Sequence, residues 1–186
     1  VRGTDRAQAL ARMRQALQAF EVVGPATNVA FLDRLIASPP FANAALDTGL
    51  IERHHAALFP SSVPAPLPVL ALACAALSRE ESQPSNDPWS QTSGWRMNAT
   101  LTRKLRFSDA TGQCDISLVY ERASLRVNTD RGTVLLSDVS GSGPRIRASL
   151  DGRPVQANVV RSGDNFHVFH DGHHWPLEWS NPIAHA

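Results

Sequence analysis

Residues 65–81 read APLPVLALACAALSREE, and this stretch decides the fold. From Leu67 to Leu77 no residue carries a polar side chain. Pro68 falls in the opening turn of the helix that this run predicts, where a missing N–H has no cost. A helix that is apolar on every face must be buried, and this run is shorter than the roughly 20 residues that cross a bilayer. We therefore expect a helix over residues 66–81 that is enclosed by protein.

The region that could enclose this helix is residues 95–179, where polar and apolar residues alternate between frequent turn signals. This pattern is typical of antiparallel strands. Asp151-Gly152 and Asp171-Gly172 each separate two alternating segments, which is a strong signal for a tight hairpin. Arg103 falls on the apolar face of the first strand and therefore needs a partner or an opening. Eight short strands with tight connections predict an up-and-down barrel around the apolar helix.

The N-terminal part predicts short helices and one strand. Thr4 is a candidate N-cap for an amphipathic helix, and residues 20–23 resemble a short strand that ends at Gly24-Pro25. A second helix, capped by Thr27 or Asn28, and a third over residues 49–58 follow. Four prolines between residues 60 and 68 indicate a domain boundary or a stiff linker. We therefore expect an α+β fold with domains over residues 1–60 and 61–186.

Composition limits the classes of partner. The chain has 186 residues, of which 42% are hydrophobic, enough for a packed core. The net charge of +1, from 18 basic and 17 acidic residues without long runs, predicts neither a nucleic-acid nor a membrane partner. Cys74 and Cys114 form no redox or metal motif, so we expect buried free thiols in a reducing compartment. A secretory signal is not recognisable, and the two termini suggest a piece of a longer polypeptide.

Four histidines lie close together in the last predicted hairpin: His167, His170, His173 and His174. Alternation along the strands predicts that His170 pairs with His173 while His167 and His174 point to the opposite face. At most two imidazoles then converge, fewer than the three or four ligands of a zinc site. Neither a nucleophile motif nor a phosphate-binding glycine loop nor paired carboxylates are present. We predict no catalytic, cofactor-binding or metal residue in this chain, and adventitious metal binding stays the alternative.

The connection between the apolar helix and the first strand, residues 82–94, neither alternates nor repeats at helical spacing. Connections of about 4 to 6 residues are usual, and longer ones are often functional. Trp89 stands in this loop after Asp87-Pro88. It either packs back on its own barrel or anchors a partner, a role in which Trp is favoured. Arg96 and Arg106 flank the loop and could pair with carboxylates of a partner.

Two blocks of sequence resemble biotin-dependent acyl-CoA carboxylase α-subunits. RMRQAL at residues 12–17 and GPATNVAFL at residues 24–32 resemble the end of biotin carboxylase domains. SGWRMN at residues 93–98 and the Leu-Thr-Arg that starts at Leu101 resemble the domain that links biotin carboxylase to biotin carrier, the BT domain. His54-His55 and the Leu-Thr-Arg motif look most like the 3-methylcrotonyl-CoA carboxylase member.

The resemblance implies that residues 1–60 are the tail of a biotin carboxylase domain and residues 61–186 a BT domain. It implies an eight-stranded barrel around a central helix, and a hook loop, residues 82–94, that contacts the carboxyltransferase β-subunit. The partner-binding candidates are then Trp89, Asp87, Pro88, Arg96 and Arg106. The biotin carrier domain of the same chain would be the other partner.

The parent enzyme implied by the resemblance is a ligase of leucine degradation that uses biotin, bicarbonate and ATP with Mg. Its place would be the cytoplasm of a bacterium or the mitochondrial matrix of a eukaryote. This chain has no match to the ATP-binding part and no Met-Lys biotin attachment motif, so we expect no catalysis by the chain alone. The alternatives are a propionyl- or geranyl-CoA carboxylase α-subunit, a stand-alone barrel that binds a small apolar ligand, and a metal enzyme built on the histidine hairpin.

Overall fold

The computed structural model describes residues 1–81, 101–121 and 124–180. It contains two compact units. The first consists of Val1–Ser62 together with Asp171–His173, and the second of the other residues from Val63 onward. Val1–Ser62 is helical. Its helices are α1 (Arg6–Gln18), α2 (Val29–Ala37), α3 (Pro39–Ala42), α4 (Leu50–Arg53) and α5 (His55–Leu58).

The start of α1 differs from the prediction. Asp5, rather than Thr4, is the N-cap, and its side chain accepts a hydrogen bond from the Gln8 N–H at 2.8 Å. Thr4 instead donates its N–H to Oε1 of Gln8 at 2.9 Å. The carboxylate of Asp5 is the better acceptor for the positive end of the helix, which explains the shift by one residue.

The strand predicted over residues 20–23 is wrong, since Val1–Ser62, which is described throughout, contains no strand. Phe20 is 65% exposed, so this segment has no sheet against which to bury its apolar side. The third predicted helix is divided into α4 and α5 at His54. Val1–Ser62 therefore supplies helices alone, and the strands of the α+β fold lie in the rest of the chain.

The second unit is a closed barrel of antiparallel strands. Each strand pairs with the next in the sequence, and β1 closes the barrel against β8 through Phe107 opposite Trp179. This confirms the predicted eight-stranded antiparallel barrel; residues 95–100, included in the predicted first strand, lie outside the described residues. The strands are β1 (Leu101–Asp109), β2 (Gly112–Tyr120), β3 (Ser124–Thr129), β4 (Gly132–Ser140), β5 (Arg145–Leu150), β6 (Arg153–Ser162), β7 (Asn165–His170) and β8 (His173–Trp179).

The two Asp-Gly turns adopt the conformation that their sequences predict. Asp151 and Gly152 have φ of 48° and 80°, and Asp171 and Gly172 have φ of 50° and 73°. Positive φ at both central residues defines the tight turn that matches the twist of two antiparallel strands. The hairpins β5–β6 and β7–β8 are therefore set by local sequence.

The apolar helix, α6 (Leu67–Glu81), forms as predicted. Every residue from Val69 to Leu77 is at most 3% exposed. These residues belong to one hydrophobic core with the inward side chains of the barrel, among them Phe107, Ile116 and Phe166. The helix contacts the strands from β3 to β7. Its burial explains why a stretch without a polar face is stable here.

Polar contacts hold the start of α6. The N–H of Ala65 donates to Oδ2 of Asp109 at 2.8 Å, and the Ala65 carbonyl accepts from Nη1 of Arg131 at 3.0 Å. Asp109 ends β1 and Arg131 lies in the β3–β4 turn. Both turns lie at the same end of an up-and-down barrel, because successive turns alternate between its ends. We call this end the Asp109 end.

Different contacts hold the other terminus of the helix. Arg79 donates to the Arg145 carbonyl at 2.9 Å and to the carbonyl of Gly143, while Glu80 pairs with Arg161 at 2.7 Å. Gly143 lies in the β4–β5 connection, Arg145 starts β5 and Arg161 lies near the end of β6, so all three are at the end opposite to the Asp109 end. We call it the Arg161 end. The helix thus extends from one end of the barrel to the other, and its position on the barrel axis stays a prediction.

Candidate functional site

The predicted partner-binding residues fall in two groups. Asp87, Pro88, Trp89 and Arg96 lie outside the described residues, and their role stays a prediction. Arg106 is described and lies on the outer face of β1. The structure therefore places one of the five candidates.

Arg106 forms an ion pair with Asp115, the residue directly opposite it on β2. Nε of Arg106 is 2.5 Å from Oδ1 of Asp115, and Nη2 is 3.0 Å from Oδ2. The hydrogen bond from Arg106 lowers the pKa of the Asp115 carboxyl, which is 71% exposed. A two-pronged contact fixes the guanidinium plane. A partner at this face would thus meet a paired charge on the barrel surface. The register of the β1–β2 hairpin is the sequence signal that could have located Asp115.

Both flanks of the stretch 82–100 lie at the Arg161 end of the barrel. The last described residues before it end α6, where Glu80 pairs with Arg161. The first residue after it, Leu101, is paired with Tyr120 at the close of β2. Since β1 leads from this position to the Asp109 end, Leu101 starts at the Arg161 end. The described residues before and after the stretch 82–100 thus lie at the same end of the barrel.

An aromatic ring at the Arg161 end is in contact with two guanidinium groups. Cζ of Arg161 is 5.0 Å and Cζ of Arg103 is 5.8 Å from the ring centre of Trp179. Each such contact is worth about 0.5–2 kcal/mol, depending on solvation. This provides the partner that the inward-facing Arg103 was expected to need. Arg161 and Trp179 were not singled out from the sequence, because their contacts join distant segments.

The histidine hairpin brings two of its four imidazoles together. Nδ1 of His167 and Nε2 of His174 are 3.0 Å apart, in agreement with the prediction that at most two converge. His170 and His173 each place Nδ1 beside a main-chain oxygen, that of Gln156 at 3.1 Å and that of Asp171 at 2.8 Å. Burial and then the neighbouring His167 lower the pKa of His174. Within the described ranges no three His, Cys, Asp or Glu residues are grouped as a metal site.

The two cysteines are free and buried, as expected. Burial raises the pKa of the Cys74 thiol to about 12, against a smaller opposing effect of the Arg103 charge. At neutral pH Cys74 is therefore a protonated, unreactive part of the helix core. None of the helices in the described part of the chain is long and apolar enough to span a membrane.

Comparison with protein families identifies both units. The family model of the methylcrotonyl-CoA carboxylase α-subunit BT domain matches residues 66–181, which cover the barrel and its helix. The chain belongs to this BT-domain family. The model of the biotin carboxylase C-terminal domain matches residues 1–53, within the helical unit. The two resemblances drawn from the sequence are therefore confirmed.

Three relatives of this chain share the name methylcrotonoyl-CoA carboxylase subunit alpha. The mitochondrial methylcrotonoyl-CoA carboxylase subunit alpha of Dictyostelium discoideum is 26% identical over 94% of this chain and 28% of its own length. The mouse protein of that name is 27% identical over 89% of this chain and 25% of its own length. The rat protein is 30% identical over 64% of this chain and 18% of its own length. The chain therefore spans about a quarter of the length of the first two relatives.

Proposed function

We propose that this chain is the assembly part of a methylcrotonyl-CoA carboxylase-type α-subunit. The observation that carries the proposal is the match of the barrel unit to the BT domain of that subunit. In this proposal the barrel joins the biotin carboxylase part to the carboxyltransferase β-subunit. The barrel's other neighbour would be the biotin carrier domain of the same polypeptide. The enzyme would be located in the mitochondrial matrix or in the bacterial cytoplasm.

The barrel supports a binding role through its surface better than through its interior. Helix side chains from Val69 to Leu77 belong to the same hydrophobic core as the inward side chains of the barrel, which speaks against an open cavity for a small apolar ligand. The described residues on the two sides of the stretch 82–100 both lie at the Arg161 end of the barrel. A loop whose ends are fixed by a rigid support loses less entropy when it binds a partner. This supports residues 82–94, with Trp89, as the proposed partner contact.

The first test removes the side chain of Trp89, the proposed anchor of the partner contact. Trp89→Ala should weaken association with the carboxyltransferase β-subunit by about 2 kcal/mol or more, since a buried Trp at an interface centre has an effect of this size. Titration of the labelled chain with the β-subunit measures the change. Trp89→Phe, which keeps an aromatic ring, should retain most of the affinity.

The melting temperature of Trp89→Ala should equal that of the parent chain. Normal association by this variant would reject Trp89 as the anchor. Loss of stability together with association would assign Trp89 to the barrel's own core. Either result removes the hook assignment.

The parent enzyme would carboxylate biotin with bicarbonate and ATP/Mg, and this chain would supply no part of that chemistry. We expect the 186-residue chain to release no phosphate from ATP when biotin and bicarbonate are added. A coupled phosphate assay against a buffer control measures this, with an intact α-subunit as the positive control. Turnover above the buffer level that disappears without biotin would overturn the assembly role.

A further inference from the structure

The outer face of the last hairpin holds two imidazoles that the assembly role does not use. His167 lies on β7 between Phe166 and Val168, which both point into the core, so its own side chain points outward. His174 lies on β8 next to Trp175, which packs against the core. The ring nitrogens Nδ1 of His167 and Nε2 of His174 face each other at 3.0 Å. Two ligand atoms are therefore positioned side by side on one face.

The pair is held in place by its surroundings. The His174 ring stacks on Phe169 with ring centres 4.5 Å apart and planes inclined by 13°. Phe169 is itself 9% exposed, so it is a fixed platform. This stacking limits the side-chain freedom that His174 can lose on binding.

We propose that His167 Nδ1 and His174 Nε2 form a two-histidine site for a zinc-like divalent transition-metal ion, with water in the remaining positions. Imidazole nitrogen is a preferred ligand of such ions. Zinc–nitrogen bonds of about 2.0–2.1 Å at a tetrahedral angle separate the two nitrogens by about 3.3 Å. The observed separation of 3.0 Å must therefore widen by a few tenths of an ångström, and the two rings, whose centres are 5.2 Å apart, must turn their nitrogens from each other toward the shared ion.

Binding changes the tautomer of one ring. The short separation indicates that one neutral ring donates an N–H to the other. When the metal takes both lone pairs, that proton moves through solvent to the other nitrogen of the donor ring, so both rings stay neutral and no net proton is released. No oxidation or reduction is involved. His170 and His173 bond to main-chain oxygens, so the site has two protein ligands and exchanges its metal readily.

The test titrates the untagged full chain with Zn²⁺ alone against a competing indicator dye. His167→Asn and His174→Asn should each weaken the tightest zinc site at least tenfold, because even changes around a ligand lower metal affinity 10–100-fold. His170→Asn, on the same hairpin, is the matched control and should bind as the parent does. Zinc should also shift the NMR ring-proton signals of His167 and His174 at lower zinc concentrations than those of His54 and His55.

Equal zinc affinity of the parent and His174→Asn would overturn the proposal, as would first displacement of the His54 and His55 signals. If a ligand variant fails to fold, the order of signal displacement in the parent chain decides the question. Affinity should fall as the pH drops from about 7 to 5, because protons compete with the metal for the imidazole nitrogens. Zinc affinity that is independent of pH over this range would place the metal on other ligands.

Discussion

Replacing Leu72 by Asp should abolish the cooperative thermal unfolding of the barrel. Leu72 is fully buried in the middle of α6. An unpaired carboxylate at such a site destabilises by several kcal/mol, even if it takes up a proton, and whole domains are stable by about 5–15 kcal/mol. Circular dichroism of the β-sheet signal during heating measures the result.

Leu135→Asp is the matched control for this substitution. Leu135 lies on β4 and is 38% exposed, so its carboxylate can stay hydrated and the melting temperature should change little. If Leu72→Asp melts with the parent's midpoint, α6 does not contribute to the barrel's core. The helix-filled barrel would then be wrong.

The sequence predicted α6 because its signal is local and complete. A run without any polar side chain excludes a surface helix, and its length excludes a membrane span. The hairpins at Asp151-Gly152 and Asp171-Gly172 were predictable for a related reason, since few residues adopt positive φ at both turn positions. Where one short segment limits the backbone to one conformation, no tertiary information is needed.

The failures are in places where two local signals compete. Thr4 and Asp5 are neighbours and both are good N-cap residues, so the sequence pattern does not tell which of them caps α1. Residues 20–23 have the composition of a strand, but a strand forms when a neighbour accepts its hydrogen bonds, and the helical unit offers none. Pattern alone cannot decide whether such a neighbour exists.

Contacts between distant segments could not be predicted at all. Glu80 and Arg161 are 81 positions apart and meet because α6 and the β6–β7 connection reach the same barrel end. The convergence of Arg103 and Arg161 on Trp179 depends on barrel closure in the same way. The Arg106–Asp115 pair lies between these cases, because hairpin register would have located it once the β1–β2 turn was fixed.

Asp109→Ala should lower the free energy of unfolding of the barrel by about 3 kcal/mol. The Asp109 carboxylate accepts hydrogen bonds from the N–H groups of Ala65, Thr111 and Gly112 at 2.8, 2.7 and 3.2 Å. A hydrogen bond to a charged group contributes about 1.5–3 kcal/mol. Removing the carboxylate breaks the contacts of the β1–β2 turn and also the contact that holds the start of α6. We therefore expect a loss of stability at least as large as that of one strong hydrogen bond.

The pH dependence of this effect has a definite sign. Burial raises the pKa of Asp109, but the hydrogen bonds, first that from Ala65, outweigh it and lower the pKa below its ordinary value. A carboxyl whose pKa is lower in the folded state stabilises fully above its unfolded pKa of about 3.9, and that stability is lost as the pH falls through the folded pKa. The difference between parent and variant should therefore be constant from pH 7 to 5 and shrink below about pH 4.

Urea unfolding of parent and Asp109→Ala across this pH range tests the prediction, and Asp130→Ala is its control. Asp130 lies in the β3–β4 turn with its side chain 81% exposed and a long 3.7 Å contact to Arg131, so its loss should have little effect at any pH. A difference for Asp109→Ala that grows as the pH falls would show that the carboxyl is protonated in the folded barrel. The contact with Ala65 would then not be the charged hydrogen bond that holds the start of the helix.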